Sequence, residues 1–516
     1  YFYSCSFINN RALIAGGIYF TGSRSSEVIN CTFSNNYASD YSAAVQLQGN
    51  ASVRFYNNTF FQNNANNFPE VMGSSGGTAV YFENNAFGDN GTNNQVSFSG
   101  TTISYGGNRF RANYALEFLT FPILAGDNFS LGLNLGFRDQ ILEDGFGLKY
   151  WPIIDPASAL INTKAPNVRT PDFDCRRAPR ALKGPSAFLV YPDAGAVEYT
   201  HLRVTNDGGD EATANSLLWA LSDAERKDEM HYIEFDLPDL ISDIDLSETA
   251  ILDSDGYIID GYSQYSSSIP GPPLPGDFEL TPAIIAINLE NGSGVTNCFE
   301  ITADSEGSII QGFRIMKFDN SAIYNDGNNT KIFGNEIGIS SLNVANGNAS
   351  SGITSQNADG VIIGGMEHYQ RNVISGNGSD DLRDKSNIFL KSGRAIEVYG
   401  NIIGVANDGI NEISGGSLTP YGLLVKSDAN SIGSHLTNGG NIIGKNDYGI
   451  YLQDSDSSKI YNNCIGVALD LIGEIDNTNA GILLEDANRN IIGNIENGYG
   501  NHIANNGSGI NVGAEG

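Results

Sequence analysis

The sequence predicts an all-β fold built as a solenoid, with parallel coils stacked one on the next. Three observations predict it. One phrase recurs at about sixty residues, as Asn335-Glu-Ile-Gly338, Asn401-Ile-Ile-Gly404 and Asn463-Cys-Ile-Gly466, at offsets of 66 and 62. Further marks fall between these at matching places: Gly352-Ile353, Gly422-Leu423 and Gly481-Ile482, and then Asn372-Val-Ile, Asn441-Ile-Ile and Asn501-His-Ile. A different repeat occupies the chain before Ala115, where Phe7-Ile-Asn-Asn10, Phe33-Ser-Asn-Asn36, Phe61-Gln-Asn-Asn64 and Phe110-Arg-Ala-Asn113 all spell Phe-x-x-Asn. Short apolar runs punctuated by Asn and Gly at a fixed period are units that bury their apolar side only by stacking.

Each element follows from that frame. Residues 1–199 form the last part of a first stack, in which alternating runs such as Val53-Arg-Phe-Tyr56 put one side inward and the other in water. Regularity fails over 116–199, where prolines crowd; this stretch is expected to terminate the stack, because open β-stacks expose unpaired backbone at their ends. The second stack, 200–516, opens with a cap over 200–240. There Leu217, Leu218 and Leu221 share one face of a short helix expected over 211–222, with Trp219 beside them. Strands are expected at His231–Phe235, Tyr257–Asp260, Ala283–Ile287 and Cys298–Ile301, with a proline-rich surface loop over 266–277. From about 330 to 516 the sixty-residue repeat is expected to hold three coils of roughly 20 residues, interrupted by a charged insertion at 378–394. Asn at the repeated position both tolerates the turn conformation and offers an amide for ladders along the stack.

Composition narrows the partners. The chain carries 28 basic against 59 acidic residues, a net charge of −31. Phosphate binding rests on Lys and Arg, so nucleic acid and anionic membranes are disfavoured. The longest apolar stretches are too short to span a bilayer, so no membrane insertion is expected. The first and last residues both lie inside repeats, and the expectation is a segment of a longer polypeptide. Cysteines stand at 5, 31, 175, 298 and 464 without metal-ligand spacing. Cys5 and Cys31 share a repeat position. Neighbouring coils about 4.8 Å apart lie within disulfide reach, although buried free thiols fill such a slot as well.

The Phe-x-x-Asn series of residues 7–113, with Gly16-Gly-Ile-Tyr19 and Ala43-Ala-Val-Gln46 between, resembles the passenger repeats of chlamydial polymorphic outer-membrane proteins. Pro192-Asp-Ala-Gly-Ala-Val-Glu-Tyr199 is similar to the ending of such bacterial domains. Ser216–Leu221, Ile259–Gln264, Asn335–Gly338 and Arg371–Asn377 resemble β-helix domains of large secreted bacterial proteins that carry sorting domains. The resemblance implies two tandem right-handed parallel β-helix domains, export to the bacterial surface, and a structural or adhesive role.

Catalytic patterns are sparse. The five His residues never occur as Gly-His-Gly, and Arg314-Ile-Met-Lys317 with Asp319 is the nearest basic pair to a polygalacturonase-like set. Asp380, Asp381, Arg383, Asp384 and Lys385, with Arg394 and Glu397, are the residues a polysaccharide lyase or hydrolase would draw on. Structural Ca²⁺ is the one cofactor with candidate ligands, Asp253 and Asp255 in one turn and Asp454 and Asp456 in another, with Asn206–Glu211 a further oxygen-rich turn; no organic cofactor is expected. The 24 Tyr and 26 Phe exceed what a narrow interior needs, and outward Tyr rows suit sugars or another chain. The leading expectation is therefore an extracellular rod, more a scaffold than an enzyme, whose partners are other copies of the same surface protein or glycans. A polysaccharide-active enzyme and a non-catalytic glycan-binding module are the alternatives.

Overall fold

In a computed structural model of the chain, described residues span 1–110, except 23–24, 67–69, 76–77, 89–93 and 98–100, and 202–513, except 225–230, 240, 255, 265–284, 286, 292–293, 379–383, 417, 437 and 469. Between them only 128–129, 142–143, 149–150, 160, 174 and 194–196 are described. The fold is all-β and almost wholly parallel, with a single α-helix among the described residues. The chain divides into two compact units, Tyr1–His201 and Leu202–Gly516.

In the first unit successive passes of the chain lay strands side by side in register. Phe7, Phe33, Phe60, Phe87 and Phe110 are register partners in one sheet, and their rings stack face to face at centroid spacings of 4.7, 4.7, 4.6 and 4.5 Å. That spacing matches the strand separation, so a parallel stack brings identical rings into contact without bending the backbone. Two details differ from the sequence reading. The third ring of the stack is Phe60, not Phe61, which pairs with Ser34 and Gly88. Phe87 fills the pass that the Phe-x-x-Asn pattern skipped.

The Asn doublets divide two tasks. Asn9, Asn35, Asn57 and Asn84 take left-handed backbone, with φ between 53° and 57°, and turn the chain. The Asn that follows each is the ladder residue. Asn58 donates its backbone N–H to Asn85 Oδ1 at 2.9 Å, and Asn85 donates to Asn108 Oδ1 at 3.0 Å. Cys31 and Cys5 occupy the same slot: Cys31 N–H donates to Asn58 Oδ1, and Cys5 N–H to Cys31 Sγ at 3.4 Å. Both thiols are free, and the hydrogen bond with the Cys5 thiol, together with burial, pushes Cys31 upward. Of the expected terminating stretch, 116–199, the described Ala194–Ala196 run alongside earlier passes, where Gly195 donates to Asn84 O and Ala196 to Thr59 Oγ1.

The second unit has three large sheets of ten, nine and nine strands; nine passes each give one strand to every large sheet, and Arg203–Val204 adds the tenth to the first. The first sheet runs from Arg203–Val204 to Ile491–Ile492, the second from Ser242–Leu246 to His502–Ile503, and the third from Ala250–Leu252 to Ile510–Gly513. All three supply one apolar core. Ile332, Ile363, Val398 and Ile432 come from the first sheet, Ile337, Ile374 and Ile403 from the second, and Ile353, Ile388 and Leu423 from the third, each fully buried.

Register corrects the count of coils per repeat. Glu336 pairs with Val373 and Val373 with Ile402, so Asn335, Asn372 and Asn401 stand on three consecutive passes. The sixty-residue repeat therefore holds two passes of about thirty residues and not three of twenty. Each pass has three strands: Gly352-Ile353 lies on the third strand of the pass that holds Asn335, and Asn372 precedes the second strand of the next pass. The expected insertion at 378–394 is also smaller. Ser386–Leu390 is a buried strand between Ser351–Ser355 and Thr419–Val425, and Gly393–Arg394 pairs with Ala358–Asp359.

Sequence logic locates the remaining elements. His231–Phe235 and Tyr257–Asp260 form strands as expected; the third begins later, at Ile287–Asn291, and the fourth is Phe299–Ile301. The proline-rich 266–277 lies outside the described residues. The helix occupies Leu217–Ala224, later than the expected 211–222. Asp210 Oδ1 accepts from Thr213 N–H and Oγ1, holding 210–213 as a turn, and Ser216 Oγ accepts from Trp219 N–H as the N-cap. Leu217, Leu218 and Leu221 are buried in the core, with Trp219 partly buried against it.

Candidate functional site

The residues singled out for hydrolytic chemistry do not converge. Arg314 sends Nε and Nη2 to Glu336 Oε2 and Nη1 to Asn288 Oδ1, at 2.8, 2.5 and 2.8 Å, which makes a buried, saturated ion pair. Lys317 pairs with Glu290 at 2.5 Å, and Asp319 accepts from Asn291 Nδ2 at 3.0 Å. Arg394 pairs with Asp359 at 3.2 Å, and Glu397 is an exposed strand residue in register with Ser431. Asp380, Asp381 and Arg383 lie outside the described residues.

The calcium candidates are turn residues. Asp253 is exposed, and Asp255 lies outside the described residues. Asp454 has left-handed backbone, φ 53°. Asp456 donates its N–H to Asp428 Oδ1, while its own Oδ1 accepts from Asn488 N–H, both at 2.7 Å. That backbone hydrogen bond, reinforced by Arg489 at 2.9 Å, holds the Asp456 carboxyl below its ordinary range. In 206–211, Asn206 Oδ1 accepts from Gly208 N–H and Asp210 closes its own turn. No cluster of three or more His, Cys, Asp or Glu suited to a metal occurs among the described residues.

Two amide ladders account for most of the buried asparagines described in the second unit. Asn335, Asn401, Asn441 and Asn463 each donate backbone N–H to the Oδ1 one pass on, at 3.0 to 3.1 Å, and Asn372 continues the series through its Nδ2 to Asn401. A second ladder runs through Asn348, Asn377, Asn387, Asn446, Asn477 and Asn506. The sequence reading missed it. Its signal is an Asn three or four residues before a Gly-Ile pair, as in Asn348 before Gly352, Asn446 before Gly449 and Asn477 before Gly481, although Gly422-Leu423 has none. A Cβ on Gly422 would lie 2.5 Å from Gly449 O and 3.0 Å from Asn446 Nδ2, so the mark's glycine is what lets the strand pass the ladder.

One place on the third sheet departs from this saturation. A groove of about 420 Å³ opens there, walled by Asp384, Lys385, Pro420 and Tyr421 and floored by Leu424 and Tyr451, with Lys426 and Gln453 beside them. Tyr421 stacks on Tyr448 at 5.8 Å and tilts against Tyr451 at 5.2 Å. Lys426 Nζ sits 5.6 Å over the Phe389 ring and 2.8 Å from Asp384 Oδ1. Tyr451 donates its hydroxyl to Glu485. Partial burial raises the Tyr421 phenol, with Tyr448, Asp384, Asp447 and Glu485 adding to it, and burial also raises Asp447. The arrangement offers flat apolar faces edged by donors and acceptors. It lacks an activated nucleophile.

No family model matches the chain, and no curated protein matches it. A solved structure of a variant of sacteLam55A from Streptomyces sp. SirexAA-E, in complex with glucose, aligns with 93% of this chain and 81% of its own at 10% identity, with a TM-score of 0.25. That superposition is too loose to bear on fold or activity. No helix among the described residues is long and apolar enough to cross a membrane.

Proposed function

We propose that the chain is an extracellular structural or adhesive protein of a bacterial surface, made of two tandem right-handed parallel β-helices whose flanks display binding surface. The observation that carries this reading is the use of polar side chains. Asn335, Asn372, Asn401, Asn441 and Asn463 are all buried and spent on one another or on backbone carbonyls. A rod held by ladders needs no reactive groups, and the basic residues nearest to a catalytic set are neutralised pairwise. The resemblance to chlamydial outer-membrane passenger repeats and to β-helix domains of sorting-domain proteins supports the same location. Other copies of the protein and glycans are the partners this role implies. Proteolytic shaving of intact source cells tests it: peptides of this chain should be released before the cells lyse. Recovery solely from the cytosol, or release of reducing ends from polysaccharide by the purified chain, would refute it.

A further inference from the structure

Over the same passes, the outward faces of the second and third sheets are treated differently. On the second sheet Val373, Ile402 and Ile442 are buried against Ile339, Val405 and Ile475 from the connecting segments. The chain covers that row itself. On the third sheet the outward row reads Thr354, Phe389, Leu424, Tyr451, Leu483 and Asn511 on consecutive passes. Four apolar residues stand together, bounded by polar ones; Phe389, Leu424 and Tyr451 are buried, and the partly buried Tyr421 and Leu483 pack against them. A neighbouring register position reads Ser351, Ser386, Tyr421, Tyr448 and Ala480. Small side chains serve the scaffold there on three of these passes, and tyrosine replaces them on two adjacent ones, both only partly buried. The scaffold does not require these rings.

Resting on the surface role proposed above, we propose that this groove binds an uncharged polysaccharide chain, with sugar rings against the exposed ring surfaces of Tyr421, which lines it, and of Tyr448 beside it, and hydroxyls held by Asp384, Lys426 and Gln453. A pyranose has an apolar C–H face and an edge of hydroxyls that both donate and accept. The tyrosine faces match the first, and a carboxylate, an ammonium and an amide match the second. Tyrosines on register partners of adjacent strands repeat every ~4.8 Å, which suits a polymer lying along the stack better than a single sugar. Charge selects the class. Lys385 and Lys426 meet Asp384, Asp447 and Glu485 around the groove, on a chain of net charge −31, so an anionic glycan is repelled.

The test is native affinity electrophoresis of the 516-residue chain through gels containing soluble glucan, mannan, xylan or polygalacturonate. Retardation by at least one of the three neutral polymers, and none by polygalacturonate, is expected. Tyr421→Ala combined with Tyr448→Ala should weaken binding about tenfold, while Tyr421→Phe, which keeps the stacking face, retains it. Unfolding midpoints of the variants check their folding, and Lys426→Ala, away from the stacked pair, should weaken binding if the double variant does not fold. Retardation by none of the neutral polymers, retardation by polygalacturonate alone, or full binding by the folded variant carrying both Tyr421→Ala and Tyr448→Ala would overturn the proposal.

Discussion

In residues 1–110 the interior is a column of phenyl rings in contact from Phe7 to Phe110; in residues 202–513 the same place is filled by Ile, Val and Leu from three sheets. Pass length differs too. Successive rings of the first unit are 26, 27, 27 and 23 residues apart, whereas Asn335, Asn372, Asn401, Asn441 and Asn463 are separated by 37, 29, 40 and 22. Both units nevertheless use a buried Asn whose Oδ1 accepts a backbone N–H from the neighbouring pass. The amide ladder is thus the shared register device, indifferent to which apolar side chain fills the core. Because it fixes height at one corner of each pass, connecting segments of any length can be ejected outward without shifting the strands.

The largest expected effect breaks the first core alone. Phe60 is fully buried between Phe33 and Phe87, so Phe60→Ala should cost about 3–5 kcal/mol. Urea unfolding followed separately by probes in each unit should show the first transition shifted and the second unmoved. An intermediate effect sharpens the shared feature. Asn401→Ala removes an acceptor for Asn372 Nδ2 and the donor to Ile363 O and Asn441 Oδ1, and losing these buried hydrogen bonds together should cost about 1–3 kcal/mol. Here the second transition should move and the first should not. Equal shifts in both transitions, for either variant, would mean that the units are not independent in stability.

The smallest effect concerns a turn at the edge of the ladders. The folded carboxyl of Asp456 titrates below its ordinary value, mainly through the Asn488 N–H. Its contribution is present above the unfolded value and is lost as pH falls through the depressed folded one. Asp456→Asn should therefore lower stability slightly at neutral pH and flatten the acid side of the profile, so that parent and variant converge as pH falls. A parent and variant with parallel profiles below the ordinary carboxylate range would remove that role.

Much of this was legible in the residues. The repeated Asn and Gly signalled stacked parallel strands, and His231–Phe235 alternated clearly enough to be placed to the residue. What failed was counting. Marks from different sheets of one pass look alike in one dimension, so two passes were read as three. Phe60 and Phe61 are adjacent, and only pairing with Phe33 decides which enters the column. The helix start depended on Asp210 closing a turn over Thr213, a local competition that leucine spacing does not report. The groove was legible only as an excess of Tyr, because its rings come from strands 27 residues apart, Tyr421 and Tyr448, that register alone brings together.

Register is the claim on which the account stands, and cysteine cross-linking reads it directly. Lys331 pairs with Ile362 on the next pass, and Ile362 with Glu397 on the one after. Adjacent parallel strands lie ~4.8 Å apart, within disulfide reach, while two passes exceed it. Under mild oxidation Lys331→Cys with Ile362→Cys should form a bond found by peptide mapping, and Lys331→Cys with Glu397→Cys should not. Closure of the second pair in preference to the first would contradict the two-pass repeat and the ladder built on it.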